Sequence, residues 1–237
     1  MPKTVTVDSA GGAMKLYDSE PGDAPLGAVI VIQEAFGVTD YIQDVCNRLS
    51  AAGYRAVAPH LFHRSGDPVI AYDDMQDVMT HLGALSADGL AADIDATLLY
   101  LSAAGIGASQ TGIVGFCMGG SVVVLAAARN ALGAAVTFYG GGVTKGRFGM
   151  PPLAELAAQL QTPWLGLFGE DDQSIPADQV ELLRDEAKKA TVPTEVVNYP
   201  GAGHAFHTDG RDSYHEPSAA DGWQRTLDWL GAHLERD

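Results

Sequence analysis

The chain is poor in cysteine, in positive charge and in long apolar runs. Only two of its 237 residues are cysteine, Cys46 and Cys117. That is too few for the disulfide framework of a stapled secreted fold, so both read as free thiols. Lysine and arginine number 14 against 30 aspartates and glutamates, a formal net charge of −16. Such a chain repels phosphate backbones and anionic lipid, and no basic stripe offsets the repulsion, so neither nucleic acid nor membrane is an expected partner. No apolar run reaches the roughly 18 residues that a membrane span needs. The opening stretch MPKTVTVDSAGG also lacks the apolar segment of a signal peptide, which makes the cytoplasm the expected location. Internal repeats and low-complexity linkers are missing too, and residues 1–237 are expected to form a single domain.

What remains is a regular alternation of strand and helix patterns. VTVDS and AMKLYDS predict an N-terminal hairpin around Gly11-Gly12, and GAVIVIQEAFG, apolar and β-branched, predicts a buried strand. TDYIQDVCNRLSAAG places Ile42, Val45, Cys46 and Leu49 at helical spacing, with Thr39 or Asp40 as N-cap and Gly53 as stop. The strands YRAVAP, TGIVGF, AAVTFYG, PWLGLFG and TEVVNYPG follow. Between and after them come the helices DGLAADIDATLLYLSAAG, PADQVELLRDEAKKA and ADGWQRTLDWLGAHLE, the last with Trp223, Leu227, Leu230 and Leu234 on one face. This order predicts an α/β fold, a mostly parallel central sheet with helices on both faces and the hairpin at its start.

In such a sheet, chemistry collects beyond the carboxyl ends of the strands. Those ends carry Glu34, Cys117, the pair Asp171 and Asp172, and His204: a thiol, an imidazole and carboxylates from four different strands. Cys117 sits in Gly115-Phe116-Cys117-Met118-Gly119, where a strand gives way to a helix. A nucleophile on so sharp a turn needs small residues two positions to either side. The turn also aims the N–H of Met118 and the positive end of the following helix at a developing oxyanion, and a thiol there tends toward thiolate. The other readings are bland. Cys46 is a small buried hydrophobe on its helix. Asp171, Asp172 or Ser174 could simply cap the helix near Pro176, Glu34 could be a structural carboxylate, and His60 and His63 have no characteristic metal-ligand spacing. Neither a cofactor nor a metal is called for.

Taken together, GFCMGG, the order Cys, Asp, His, the GEDDQSIP and GAGHAFH segments and the VIQEAFG loop resemble the dienelactone hydrolase family of α/β-hydrolases over nearly the whole chain. The resemblance implies hydrolysis of an enol lactone or related ester through a cysteinyl acyl-enzyme, with a small-molecule substrate and a monomer or small homo-oligomer. Carried over by position, Cys117 is similar to the family nucleophile and His204 to its base. Asp172 is similar to the acid that orients the histidine, because Gly169, Asp172, Ile175 and Pro176 fit the family spacing. Glu34 matches the family glutamate that holds or takes the thiol proton, and the N–H groups of Met118 and Ala35 would form the oxyanion hole.

The resemblance implies that arginines hold a substrate carboxylate, one of them shortly after the histidine; here His207 stands near that place, Arg211 lies further on, and Arg64 and His81 are further candidate contacts. Phe36 and Tyr139 are candidate apolar walls. Three alternatives to the lactonase reading stand: a general cysteine esterase on neutral esters, a hydrolase-fold binding protein without turnover, and a redox role for Cys117, although no resolving cysteine is near it in sequence.

Overall fold

A computed structural model describes residues 2–235. The hairpin is β1 (Lys3–Ser9) and β2 (Gly12–Ser19). There follow β3 (Ala28–Ile32), α1 (Asp40–Ala51), β4 (Arg55–Pro59), α2 (Met75–Gly83), α3 (Ala87–Ala103), β5 (Thr111–Phe116), α4 (Met118–Arg129) and β6 (Ala134–Phe138). The chain continues through α5 (Leu153–Ala157), β7 (Trp164–Gly169), α6 (Ala177–Ala187), β8 (Thr194–Tyr199) and α7 (Glu216–His233). The eight strands make one sheet in the order β1-β2-β4-β3-β5-β6-β7-β8. Its pairs β1/β2 and β2/β4 are antiparallel and the others parallel.

Burial follows position in the sheet. Every residue of β3, β4, β5, β6 and β7 is buried, as expected for parallel strands covered on both faces. The edge strand β1 alternates between exposed and half-buried residues. The route of the chain fixes where the site can form. From β3 it steps to β4 through α1, then returns past β3 to β5 through α2 and α3. Right-handed crossovers in opposite directions put α1 and α3 on opposite faces, which opens a crevice at the carboxyl ends of β3 and β5. Glu34 follows the first of these strands and Cys117 the second.

The expected helices are present with small shifts. Thr39 caps α1, its side chain accepting from the Ile42 amide, and Gly53, just past the end, takes φ +96°. The helix α6 stops at Ala187, short of the predicted Ala190, and α7 starts at Glu216 rather than Ala220, with a proline in its first turn. The helix α2 was not foreseen, because it buries only Val78 and leaves Met75 and Met79 exposed. Its apolar signal was present all the same, with Met75, Val78, Met79 and Leu82 at helical spacing.

Candidate active site

The turn at Cys117 is built by two close approaches. A Cβ on Gly115 would run into the carbonyl of Gly119, and one on Gly119 would lie 2.5 Å from the carbonyl oxygen of Gln33. The pair therefore lets α4 sit directly on the ends of β5 and β3. Cys117 itself has φ +55° and ψ −118°, a conformation that costs a side-chain-bearing residue about 1–3 kcal/mol. Among the described residues, three of the five non-glycine residues with positive φ lie here: Cys117, Tyr139 after β6, and Ala205 beside His204. Strain is concentrated where the chemistry-bearing residues are.

The acid and histidine loops are tied to each other before their side chains meet. The Asp171 amide donates to Ala202 O at 2.9 Å, and Gly169 packs against the same carbonyl with no room for a Cβ. Asp171 is exposed and Asp172 buried, so Asp172 is the carboxylate that faces inward. Its Oδ2 lies 2.6 Å from His204 Nδ1, and His204 Nε2 lies 3.2 Å from Cys117 Sγ. Ser174, one of the candidate helix caps, instead donates to Asp172 Oδ1 through both its amide (2.8 Å) and its hydroxyl (2.6 Å), and α6 has no side-chain cap.

The electrostatics of the row are lopsided. Burial disfavours the His204 imidazolium, yet the hydrogen bonds to Asp172 and Cys117 and the negative charge they supply outweigh it and raise the His204 pKa to about 10. Burial likewise disfavours the Asp172 carboxylate, and the bonds from His204 and Ser174 outweigh it, so its pKa falls below the usual aspartate value. These contacts favour the protonated imidazole, set between the Asp172 carboxylate and the Cys117 sulfur.

Glu34 lies beyond the end of β3, in an isolated bridge with Gly37. It is fully buried. Its Oε1 accepts from Thr208 Oγ1 at 3.1 Å and its Oε2 has no partner. Burial raises its pKa, against the opposing influence of Arg211, Thr208, His204 and Tyr72. The loop is clamped by its neighbour: Gly37, at φ +86°, packs against the carbonyl of Pro68, and the Ile70 amide donates to Phe36 O at 2.9 Å. Phe36 meets Tyr72 edge-on at 4.6 Å, and the Arg211 guanidinium lies over both rings, 5.5 and 4.7 Å from their centroids. Arg211 and Phe36 thus lie beside Glu34. Tyr139 is the fully buried floor of the site, with its ring 5.1 Å from that of His204. The Met118 amide opens α4, where an N–H has no acceptor within its own helix, and Ala35 follows Glu34 in the clamped loop.

Three of the candidate substrate contacts are placed elsewhere. His207 is buried, with Nδ1 2.6 Å from the Tyr41 hydroxyl and its ring against Phe116 and Phe138. Burial, with a smaller contribution from the Arg48 charge, pushes its pKa down to about 3. It is a neutral core histidine and not an anion anchor. Arg64 bonds Asp93 through Nη1 (2.7 Å) and Nη2 (2.9 Å) and holds the carbonyl of Ala10, which ties the hairpin to α3. His81 bonds Ser65 Oγ at 2.8 Å and lies beside Asp77 and the Phe62 ring. The donors of both are engaged by the scaffold. Sequence reasoning missed Ser174 as a partner of Asp172, Tyr72 as a neighbour of Glu34, and Thr208; the last stands in the quoted HAFHTDG stretch, yet its partner is far away in sequence.

The pattern of the Dienelactone hydrolase family matches residues 14–234. The chain belongs to that family. A protein of Salmonella typhimurium named "Putative carboxymethylenebutenolidase" is 42% identical, the match spanning 96% of this chain and 86% of that one. A Bradyrhizobium protein named "Probable 2-oxo-3-(5-oxofuran-2-ylidene)propanoate lactonase" is 32% identical over 88% of this chain and 85% of its own length. The crystal structure of a "Putative Dienelactone Hydrolase" from Klebsiella pneumoniae superposes with a TM-score of 0.89 at 41% identity, covering 98% of this chain and 99% of that one. Membership makes the protein an α/β-hydrolase and a carboxylic ester hydrolase of the dienelactone hydrolase type. Among the described residues no group of three or more histidines, cysteines and acids could hold a metal ion, and no helix is long and apolar enough to cross a membrane.

Proposed function

We propose that the enzyme opens an enol lactone or a related carboxylic ester through a cysteinyl acyl-enzyme, with Cys117 as nucleophile, His204 as base and Asp172 as the acid that orients it. The observation that carries this reading is the unbroken row from Asp172 Oδ2 to His204 (2.6 Å) to Cys117 Sγ (3.2 Å), with the sulfur on a backbone turn at positive φ. The Cys117 sulfur attacks the lactone carbonyl while its proton rests on His204. The Met118 and Ala35 amides receive the oxyanion, and loss of one such donor costs about 10²–10³ in turnover. Collapse of the tetrahedral adduct expels the ring oxygen as an enolate, which takes a proton and tautomerises to a ketone.

The charge balance then favours the second half. Cys117 is among the groups that hold the His204 proton in place. Once its sulfur is a thioester that hold is gone, so the imidazole gives its proton to the departing enolate and can then take one from the attacking water. Attack on the thioester carbonyl releases the acid and restores Cys117. Arg211, stacked on Phe36 and Tyr72 within electrostatic reach of Glu34, supports an anionic substrate, and the Bradyrhizobium relative carries a propanoate in its name. The test compares hydrolysis of a dienelactone with that of an uncharged ester of similar size, with Cys117→Ala as the blank. Cys117-dependent turnover of both with preference for the dienelactone is the expected result. Turnover only of the neutral ester would make the protein a general cysteine esterase, and no turnover above the blank would overturn the reading.

A further inference from the structure

Beneath the row lies a second set of polar groups that the chemistry above does not use. Thr208 is fully buried and its hydroxyl donates to Glu34 Oε1 at 3.1 Å. The hydroxyl of Tyr139, also fully buried, lies 3.4 Å from the same Thr208 oxygen. A threonine hydroxyl has one proton. With that proton given to Glu34, Tyr139 must be the donor to Thr208. Tyr41 stands at the end of the set, its hydroxyl 2.6 Å from His207 Nδ1. Since His207 is neutral, Tyr41 can donate to that nitrogen. Each buried hydroxyl thus has a defined partner, and the only bare atom left in the set is Glu34 Oε2.

We propose that Thr208 is a positioning residue for the hydrolase: it fixes the Glu34 carboxyl and, through the Tyr139 hydroxyl, couples it to the ring on which His204 rests. The inference rests on the reading of Cys117 and His204 as nucleophile and base. The geometry gives it direction. Tyr139 sits edge-on to His204 at 5.1 Å, so a Tyr139 hydroxyl pinned by Thr208 holds both the floor under the histidine and the carboxyl beside it. A free Glu34 side chain in the same space would have other rotamers to occupy, and a buried carboxyl with both oxygens unpaired would be costly. The groups that face Glu34 are Arg211 and Thr208 from the segment after the histidine, His204 itself, Tyr72 from the clamping loop, Tyr41 of α1 and Tyr139 after β6. Of these, only Thr208 is hydrogen-bonded to Glu34 by a hydroxyl within 3.5 Å among the described residues.

The test is a double-mutant cycle read on the substrate that the wild type turns over best. Thr208→Val keeps the shape and removes the hydroxyl, and should lower kcat by roughly tenfold with a smaller change in KM. Thr208→Ser keeps the hydroxyl and should stay within about threefold of wild type. In a Glu34→Leu background, which has no acceptor for the Thr208 hydroxyl, the Thr208→Val penalty should largely vanish, because the two residues act through one contact. Thr208 also favours the ionised form of Glu34, so Thr208→Val should raise the Glu34 pKa further, read from the carboxyl stretch in an infrared pH titration. Tyr139→Phe, which removes only an oxygen, should show a smaller loss with the same dependence on Glu34; it decides the matter if Thr208→Val does not fold. Equal losses for the valine and serine variants, or a penalty of the same size in the Glu34→Leu background, would overturn the proposal. Loss of Cys117 dependence in the wild type would overturn the underlying mechanism instead, which separates the two failures.

Discussion

Asp93 and Glu34 are both completely buried carboxylates, and they are treated in opposite ways. Asp93, on α3, receives Ser9 Oγ at 2.5 Å, His63 Nε2 at 3.0 Å and two guanidinium nitrogens of Arg64. The hairpin is locked to the body of the fold by that saturation. Glu34 receives one hydroxyl and keeps one oxygen bare, and a bare buried acceptor costs about 1–3 kcal/mol. The backbone tells the same story, since positive φ at Cys117, Tyr139 and Ala205 falls at the site. A buried carboxyl that is fully matched holds structure together. One that is left under-coordinated, among strained neighbours, is available to a reacting group.

The difference between the regions can be broken from either side. The largest effect belongs to Cys117→Ala, expected to lower kcat by about 10⁴-fold or more while the melting temperature stays close to wild type; steady-state rates and a thermal melt measure both. Asp172→Asn should come next, with a loss of about 10²–10⁴ in kcat, because the histidine loses the group that fixes its proton and orientation. At the scaffold carboxylate the outcome is reversed. Asp93→Ala leaves Arg64 and His63 without their partner and should cost about 3–5 kcal/mol in urea unfolding, with kcat unchanged wherever the variant is folded.

Two histidines three positions apart sharpen the contrast in their pH dependence. The pKa of His204 rises to about 10 in the fold. Its contribution to stability is therefore fully present below about pH 6.5, its unfolded value, and is lost as pH climbs toward 10. His207 is lowered to about 3, so its contribution is present above about pH 6.5 and is lost as pH falls toward 3. Unfolding curves of His204→Gln and His207→Gln against wild type should lose opposite limbs of the stability profile. The smallest effect is expected from Cys117→Gly, which relieves the backbone at φ +55° and should gain about 1 kcal/mol of stability in a dead enzyme.

Much of this was legible in the sequence because it is local. The glycines around Cys117 announce a strand that turns sharply into a helix, and the likeness of the stretch from Gly169 to Pro176 to the family pattern singles out Asp172. The parallel strands read as unbroken apolar runs because both of their faces are covered. What escaped depends on side-chain direction or on distant partners. His207 stands close to an expected anion contact in sequence, yet its ring turns inward onto Phe116 and Phe138. Arg64 and His81 lie in the segment after β4, but their donors go to Asp93, Ala10 and Ser65. Thr208 is one polar residue in a loop until the fold brings Glu34 to it.

The claim at the centre is that Cys117 carries the acyl group. Rapid acid quench of the enzyme with its best ester substrate, followed by intact-mass and peptide mass spectrometry, tests it most directly. The chemistry described here predicts an adduct of the acyl mass on the peptide that contains Cys117, absent from Cys117→Ala. Turnover with no adduct on that peptide, or with the adduct on another residue, would contradict it.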